Sequence, residues 1–194
     1  MSWTIDEWFV IALARTIRPR ETGFHGFGNT NVTAIGPAGR PKVKLGGGGG
    51  GCNLSATIGA LTLWTTRHRS GRTLVESCDF ITDIGHRTPL GGRAELGFTG
   101  GGPQWLVTEL GVFDFRDGRA RLAQVFPDVS VADVRTATGF PLEVAGDLRT
   151  VHPPSAAELA TVRSVDPLKV RTSEFSRREL DRAFERGGGQ DCAC

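Results

Sequence analysis

At 194 residues the chain has room for one sizeable hydrophobic core, and its 39% hydrophobic and 23% charged content is ordinary for a soluble globular protein. A net charge of +2, with basic residues interspersed among acidic ones, makes no basic stripe and argues against nucleic acid as a partner. The longest apolar stretch near the start, Trp8 to Ala14, is far short of the ~20 residues of a membrane span. It follows Asp6 and Glu7, where a signal peptide carries basic residues, so a cytoplasmic chain with no membrane partner is expected.

From the start, Trp8 to Arg18 has apolar residues at helical spacing and basic residues near its end, where they complement the helix dipole, and Pro19 stops it. Glu21 to His25 is a short candidate strand. Gly26 to Asn31 is dense in residues that tolerate tight turns, and Thr30 to Ile35 resumes a β-branched pattern. Pro41 to Leu45 then runs directly into six glycines, Gly46 to Gly51, and Asn53 to Ala60 follows as a predicted helix. Leu61 to Thr66, the turn Arg69 to Arg72, and Thr73 to Phe80 read as a β-hairpin.

Thr88 to Pro103 is a glycine-rich excursion. Trp105 to Thr108, Val112 to Phe115 and Ala120 to Val125 are predicted strands, the last two joined by a hairpin turn at Arg116-Asp117-Gly118. Ser130 stands three residues before Asp133 and opens a helix to Ala137, ended by Gly139. Pro153-Pro154 followed by Ser155 and Glu158 opens another, to about Val165. The predicted organisation is one domain over residues 1–166 and a charged, loosely ordered tail over 167–194.

The 27 glycines are roughly twice the ~7% of average usage and gather at Gly46 to Gly51, Gly100 to Gly102 and Gly187 to Gly189, which marks them as loops. Gly100 to Gly102 has no following Lys-Ser/Thr and is not a P-loop. Cys52, Cys78, Cys192 and Cys194 lack metal-site spacing and read as free thiols of a reducing compartment, so no metal is expected. Cys192 and Cys194 at the tail leave a soft-metal or redox pair as the alternative.

Several stretches resemble, in order, the β subunits of family I CoA-transferases, the glutaconate and 3-oxoacid group with its ring-opening hydrolase relatives. They are Gly28-Asn29-Thr30-Asn31, Gly36-Pro37, Arg40-Pro41, the glycine loop, Leu110 to Phe115, Phe126 to Val131 and Val134 to Phe140. The resemblance covers roughly Glu21 to Val144. It implies an open α/β CoA-transferase-like sheet with flanking helices, and an active site shared with an α-type partner subunit in a heterodimer or heterotetramer. It implies acyl-CoA as a thioester substrate, no covalently bound cofactor, and transfer of CoA through a glutamyl thioester. The family's glutamate turn is not found here. Phe27 alone stands where family members carry a further β-α-β stretch, so the N-terminal part of the sheet is expected to be reduced.

A glycine loop between strand and helix lets backbone N–H groups approach an oxyanion or phosphate without Cβ obstruction, which singles out Gly47, Gly48, Gly49 and Gly50. Asn53 either donates to the same ligand or caps the helix. Asn29 and Asn31 either face the acyl group or stabilise a turn. In place of the missing nucleophile, Glu109, Glu21 and His25 are the acid-base candidates, each with a structural alternative. His68, His86 and His152 have no nucleophile motif around them. A CoA-transferase subunit, a hydrolase subunit needing no nucleophile of its own, and a non-catalytic acyl-CoA-binding or scaffold subunit all stay open.

Overall fold

The computed structural model describes residues 4–14, 24–175 and Leu180; Glu21, Cys192, Cys194 and the Gly187 to Gly189 cluster lie outside them. The chain divides into two compact units, Met1–Thr16 with His152–Cys194, and Ile17–Val151. No helix among the described residues is long and apolar enough to cross a membrane.

The larger unit is built on a mixed five-stranded sheet. In chain order its elements are β1 (Phe24–His25), β2 (Ala34–Ile35), β3 (Val43–Lys44), α2 (Gly51–Thr57), β4 (Leu61–Thr65), β5 (Leu74–Val75), β6 (Arg87–Thr88) and β7 (Gly91–Gly92), then β8 (Pro103–Thr108), β9 (Gly111–Arg116), β10 (Arg119–Val125), α3 (Val131–Ala137) and β11 (Glu143–Thr150). The sheet order is β11-β10-β9-β8-β4.

Strands β8, β9 and β10 form an antiparallel meander, with the β9–β10 hairpin where it is expected. Asp117 and Gly118 take φ of 52° and 74°, so both central residues of the turn are left-handed, as a two-residue hairpin with native twist requires. Leu106, Val107, Phe113 and Leu122 are buried and, with Leu110 and Val134, make the core. Ser130 and Asp133 form a reciprocal capping box at the start of α3.

Within the larger unit, three expectations are corrected. Leu61 to Thr66 and Thr73 to Phe80 do not form a hairpin: β4 pairs in parallel with β8, and β5, only two residues long, pairs in parallel with β1. The segment between them closes as a 3-10 turn at His68–Ser70 whose amides are held elsewhere, and the apolar alternation on its two sides serves two different sheets. Glu143 to Thr150, for which the pattern predicts no element, is an edge strand lying parallel to β10. The predicted helix Asn53 to Ala60 is displaced, beginning inside the glycine run at Gly51 and ending at Thr57.

The smaller unit holds α1 (Ile5–Ala14) and α4 (Ala156–Val165), which opens on a Ser155/Glu158 capping box. Asp6 and Glu7 lie in the first turn of α1 and are buried. Arg163 donates to both Glu7 oxygens, at 2.6 and 3.0 Å, and Arg171 reaches Asp6 Oδ2 at 2.8 Å and Asp166 Oδ2 at 3.1 Å. The Phe9 and Phe175 rings meet edge to face at 5.4 Å. Arg171 to Phe175, expected at the start of the loose tail, are thereby docked against α1.

Candidate functional site

The glycine run is a bridge between an anchored strand and a helix. Leu45 N–H donates to Thr33 O and Gly47 N–H to Val32 O, each at 2.8 Å; at the far end Gly51 N–H donates to Gly48 O at 2.7 Å and Leu54 N–H to Gly50 O at 3.0 Å. Between these anchors the N–H groups of Gly48, Gly49 and Gly50 have no acceptor among the described residues. Gly47 and Gly49 take φ of +81° and +51°, whereas Gly50 is right-handed at φ −80° and ψ −7°. A left-handed residue followed by a right-handed one turns successive N–H groups to the same side, which is the geometry of an anion-accepting concavity.

The support beneath the loop comes from far along the chain. Arg93, 8% exposed, donates from Nε to Gly100 O, from Nη1 to Ile84 O and Gly85 O, and from Nη2 to Ser55 O and Ala56 O. Its cation thus closes the C-terminal end of α2, where the helix dipole is negative. Burial holds its pKa below the ordinary arginine value. Gly100 and Gly101 are glycine because they press on the same end: an added Cβ would lie 2.5 Å from Ile58 O and 2.1 Å from Gly59 O, respectively.

Under the loop itself lies a second polar group. Thr30 and Asp83 form a β-bridge, with Thr30 N–H donating to Asp83 O at 3.1 Å and Thr82 N–H to Thr30 O at 2.8 Å. Thr30 Oγ1 donates to Asp83 Oδ2 at 2.5 Å. Asp83 Oδ1 is buried and has no hydrogen-bond partner among the described residues. A Cβ on Gly48 would lie 2.7 Å from Thr82 Cγ2 and 3.3 Å from this oxygen. Sequence reading does not single out Asp83, which lies between the predicted strand Thr73 to Phe80 and the glycine-rich excursion and whose partner Thr30 is 53 residues away.

The other sequence candidates are largely committed to the scaffold. Asn29 is buried, its Nδ2 donating to Arg87 O at 2.8 Å and its Oδ1 accepting Gly85 N–H at 2.9 Å. Asn31 accepts the N–H groups of Thr33 and Ala34 and donates to Ala34 O at 2.7 Å. Both Glu109 oxygens accept backbone amides, His68 N–H at 3.0 Å and Arg69 N–H at 2.7 Å. Asn53 is exposed on the first turn of α2.

His25 is half-buried; its Nδ1 accepts Phe27 N–H at 3.2 Å, and burial, with nearby Arg119, keeps the ring below its ordinary pKa despite a backbone hydrogen bond near Glu76. His68 is fully buried between the hydroxyls of Thr108 and Thr138, 3.1 and 3.0 Å from its two nitrogens, and burial lowers its pKa to about 3. His86 Nε2 lies against Pro103 O, and its ring sits tilted by 41° beside that of Phe115. Burial pushes the Cys78 thiol up to about 11, which makes it a poor nucleophile.

At the junction near Phe27 the chain turns tightly: Gly28 N–H donates to His25 O at 2.7 Å and His25 N–H to Asn29 O at 2.9 Å. Gly28, at φ +76°, packs so closely that a Cβ would meet Pro103 Cγ at 2.7 Å.

No family model matches the chain. It is 35% identical over 144 residues to the β-type subunit of the glutaconate CoA-transferase of Acidaminococcus fermentans, covering 73% of this chain and 53% of that one. It is 30% identical over 152 residues to the cholesterol ring-cleaving hydrolase IpdB subunit of Mycobacterium tuberculosis, covering 77% and 59%. Among solved structures, IpdAB of Rhodococcus jostii superposes with a TM-score of 0.68 at 25% identity, over 80% of this chain and 62% of that chain. The chain therefore spans a little over half the length of the curated relatives it matches.

Proposed function

Since the chain is homologous, over 73% to 77% of its length, to the β-type subunits of CoA-transferases and their ring-cleaving hydrolase relatives, we propose that it is itself a subunit of this type and binds an acyl-CoA at Gly46 to Gly51. It acts with an α-type partner subunit, in a heterodimer or heterotetramer. One observation carries the assignment of the site: three consecutive amides, those of Gly48, Gly49 and Gly50, have no acceptor among the described residues. Donors with no acceptor, carried on residues without Cβ, suit an acyl oxygen that gains charge during reaction. Coenzyme A enters as part of the thioester substrate.

A second reading concerns the chemistry. The tight His25-to-Asn29 turn stands where the resemblance puts a further β-α-β stretch, and the family's glutamate turn is not found in the chain, which favours hydrolysis over CoA transfer. Water then replaces a covalent glutamyl intermediate.

Two measurements test the assignment. Isothermal titration of the full chain, with and without an α-type subunit, is expected to detect acyl-CoA at micromolar to millimolar Kd, an order-of-magnitude range typical of enzyme substrates. Failure of both acyl-CoA binding and copurification with an α-type subunit removes the assignment. In a second experiment, borohydride or hydroxylamine trapping during turnover yields a modified glutamate for a transferase and none for a hydrolase.

A further inference from the structure

We infer that Asp83 is the proton-transfer group of the glycine-loop site, an inference that rests on the acyl-CoA assignment above. Asp83 is 3% exposed, and its Oδ1 is the only buried side-chain oxygen or nitrogen among the described residues with no hydrogen-bond partner. Asp83 takes part in none of the ion pairs among the described residues, and Arg93, whose Nη1 holds the carbonyls of Ile84 and Gly85 next along the chain, spends its donors on carbonyl oxygens. Leaving a buried acceptor without a donor costs about 1–3 kcal/mol, and more for a charged group, so folding alone does not favour this arrangement. Such an atom calls for a functional or ligand-based explanation.

The place of the atom supplies one. Gly48 lies directly against it, with an added Cβ 3.3 Å from Oδ1, and the 2.7 Å approach to Thr82 leaves no room for any side chain. One loop thus carries donors without an acceptor, at Gly48, Gly49 and Gly50, beside an acceptor without a donor. Addition of water to a carbonyl needs that pair: donors for the oxygen that gains charge, and an acceptor for the proton that water loses. When ionised, the carboxyl repels a phosphate group. The site therefore suits the thioester carbonyl of an acyl-CoA better than its nucleotide phosphates.

In the proposed step, water forms a C–O bond to the thioester carbon as the carbonyl π pair moves onto oxygen, held by the loop amides. The water proton passes to Asp83 Oδ1. Collapse of the tetrahedral adduct breaks the C–S bond, and the departing thiolate takes the proton back from Asp83. The products are the carboxylic acid and free CoA thiol, with no oxidant or reductant required.

The test uses the full chain copurified with its α-type subunit and succinyl-, glutaryl- and acetyl-CoA as probes, with binding read by calorimetry and thiol release by single-turnover colorimetry. Asp83→Asn is expected to keep acyl-CoA affinity within about threefold and to lower the single-turnover rate about 100-fold or more, with partial recovery in Asp83→Glu. A rate within about tenfold of the unaltered chain in folded Asp83→Asn overturns the inference. So does an unaltered complex that binds all three probes and releases no thiol. Absence of any binding instead removes the acyl-CoA assignment itself. Should Asp83→Asn fail to fold, the unaltered complex still decides: a solvent deuterium effect of about twofold on thiol release is expected from rate-limiting proton transfer, and none contradicts it.

Discussion

Arg93 Nη2 donates to the Ser55 carbonyl at 2.7 Å, so a cation from the glycine-rich excursion closes the helix that the glycine loop opens. The two glycine clusters of the larger unit are therefore one assembly. Replacing Arg93 by Met removes the guanidinium donor from the carbonyls of Ser55, Ile84, Gly85 and Gly100 and leaves Ala56 O with the Gly100 N–H alone. A loss of about 3 kcal/mol or more in urea unfolding is expected, and Arg93→Lys recovers only part, because an ammonium cannot fork to five acceptors.

His68 makes stability depend on pH. Its folded pKa of about 3 lies below the ordinary 6.5, so between these values the unfolded chain binds a proton that the folded chain does not. Stability from the neutral ring is full above pH 6.5 and is lost as pH falls toward about 3, with a slope of up to about 1.4 kcal/mol per pH unit. Urea midpoints of the unaltered chain and His68→Gln, taken from pH 7 to pH 4, are expected to converge as pH falls. Parallel curves would contradict the assignment.

The glycines of the loop are not equivalent. Gly50→Ala meets nothing within 4 Å at φ −80°, so stability is expected to stay within about 0.5 kcal/mol while acyl-CoA affinity falls. Gly47→Ala forces an L residue to φ +81°, at a cost of about 1 kcal/mol. Gly48→Ala collides with Thr82 at 2.7 Å and is expected to be the most damaging of the three to both stability and binding. Thermal unfolding and calorimetry on the three variants read out the order.

In the smaller unit, Arg171 is 8% exposed at its side chain and its partner Asp6 5%. Arg171→Met strands a buried carboxylate and is expected to destabilise that unit by about 3–5 kcal/mol. Limited proteolysis near α1 is the direct readout, with protection equal to that of the unaltered chain as the contrary result.

Where local chemistry decides the structure, the sequence is readable. Asp117-Gly118 specifies its hairpin, Ser130 with Asp133 and Ser155 with Glu158 start their helices, and the six glycines mark the loop. Distant pairing is not readable in this way. Leu61 to Thr65 alternates as any strand does, and nothing near it shows that its neighbour is Pro103 to Thr108, reached by a parallel crossover. Glu143 to Thr150 contains Gly146 and Asp147 and sits at an edge with only Ala145 buried, so its pattern is faint. Glu109 looked available for chemistry because its two amide partners, His68 and Arg69, lie some 40 residues earlier. Asp83 is not singled out, because its partner Thr30 lies 53 residues earlier.

If the glycine loop holds the acyl end of a CoA thioester, its free amides must gain an acceptor on binding, and backbone amide chemical shifts of the ¹⁵N-labelled full chain, with its α-type subunit present, report this most directly. Titration with succinyl-CoA is expected to move the amide resonances of Gly48, Gly49 and Gly50 downfield as they acquire that acceptor, with a smaller change at Asp83. Saturable binding that leaves these three resonances in place, or shifts confined to other segments, would contradict it.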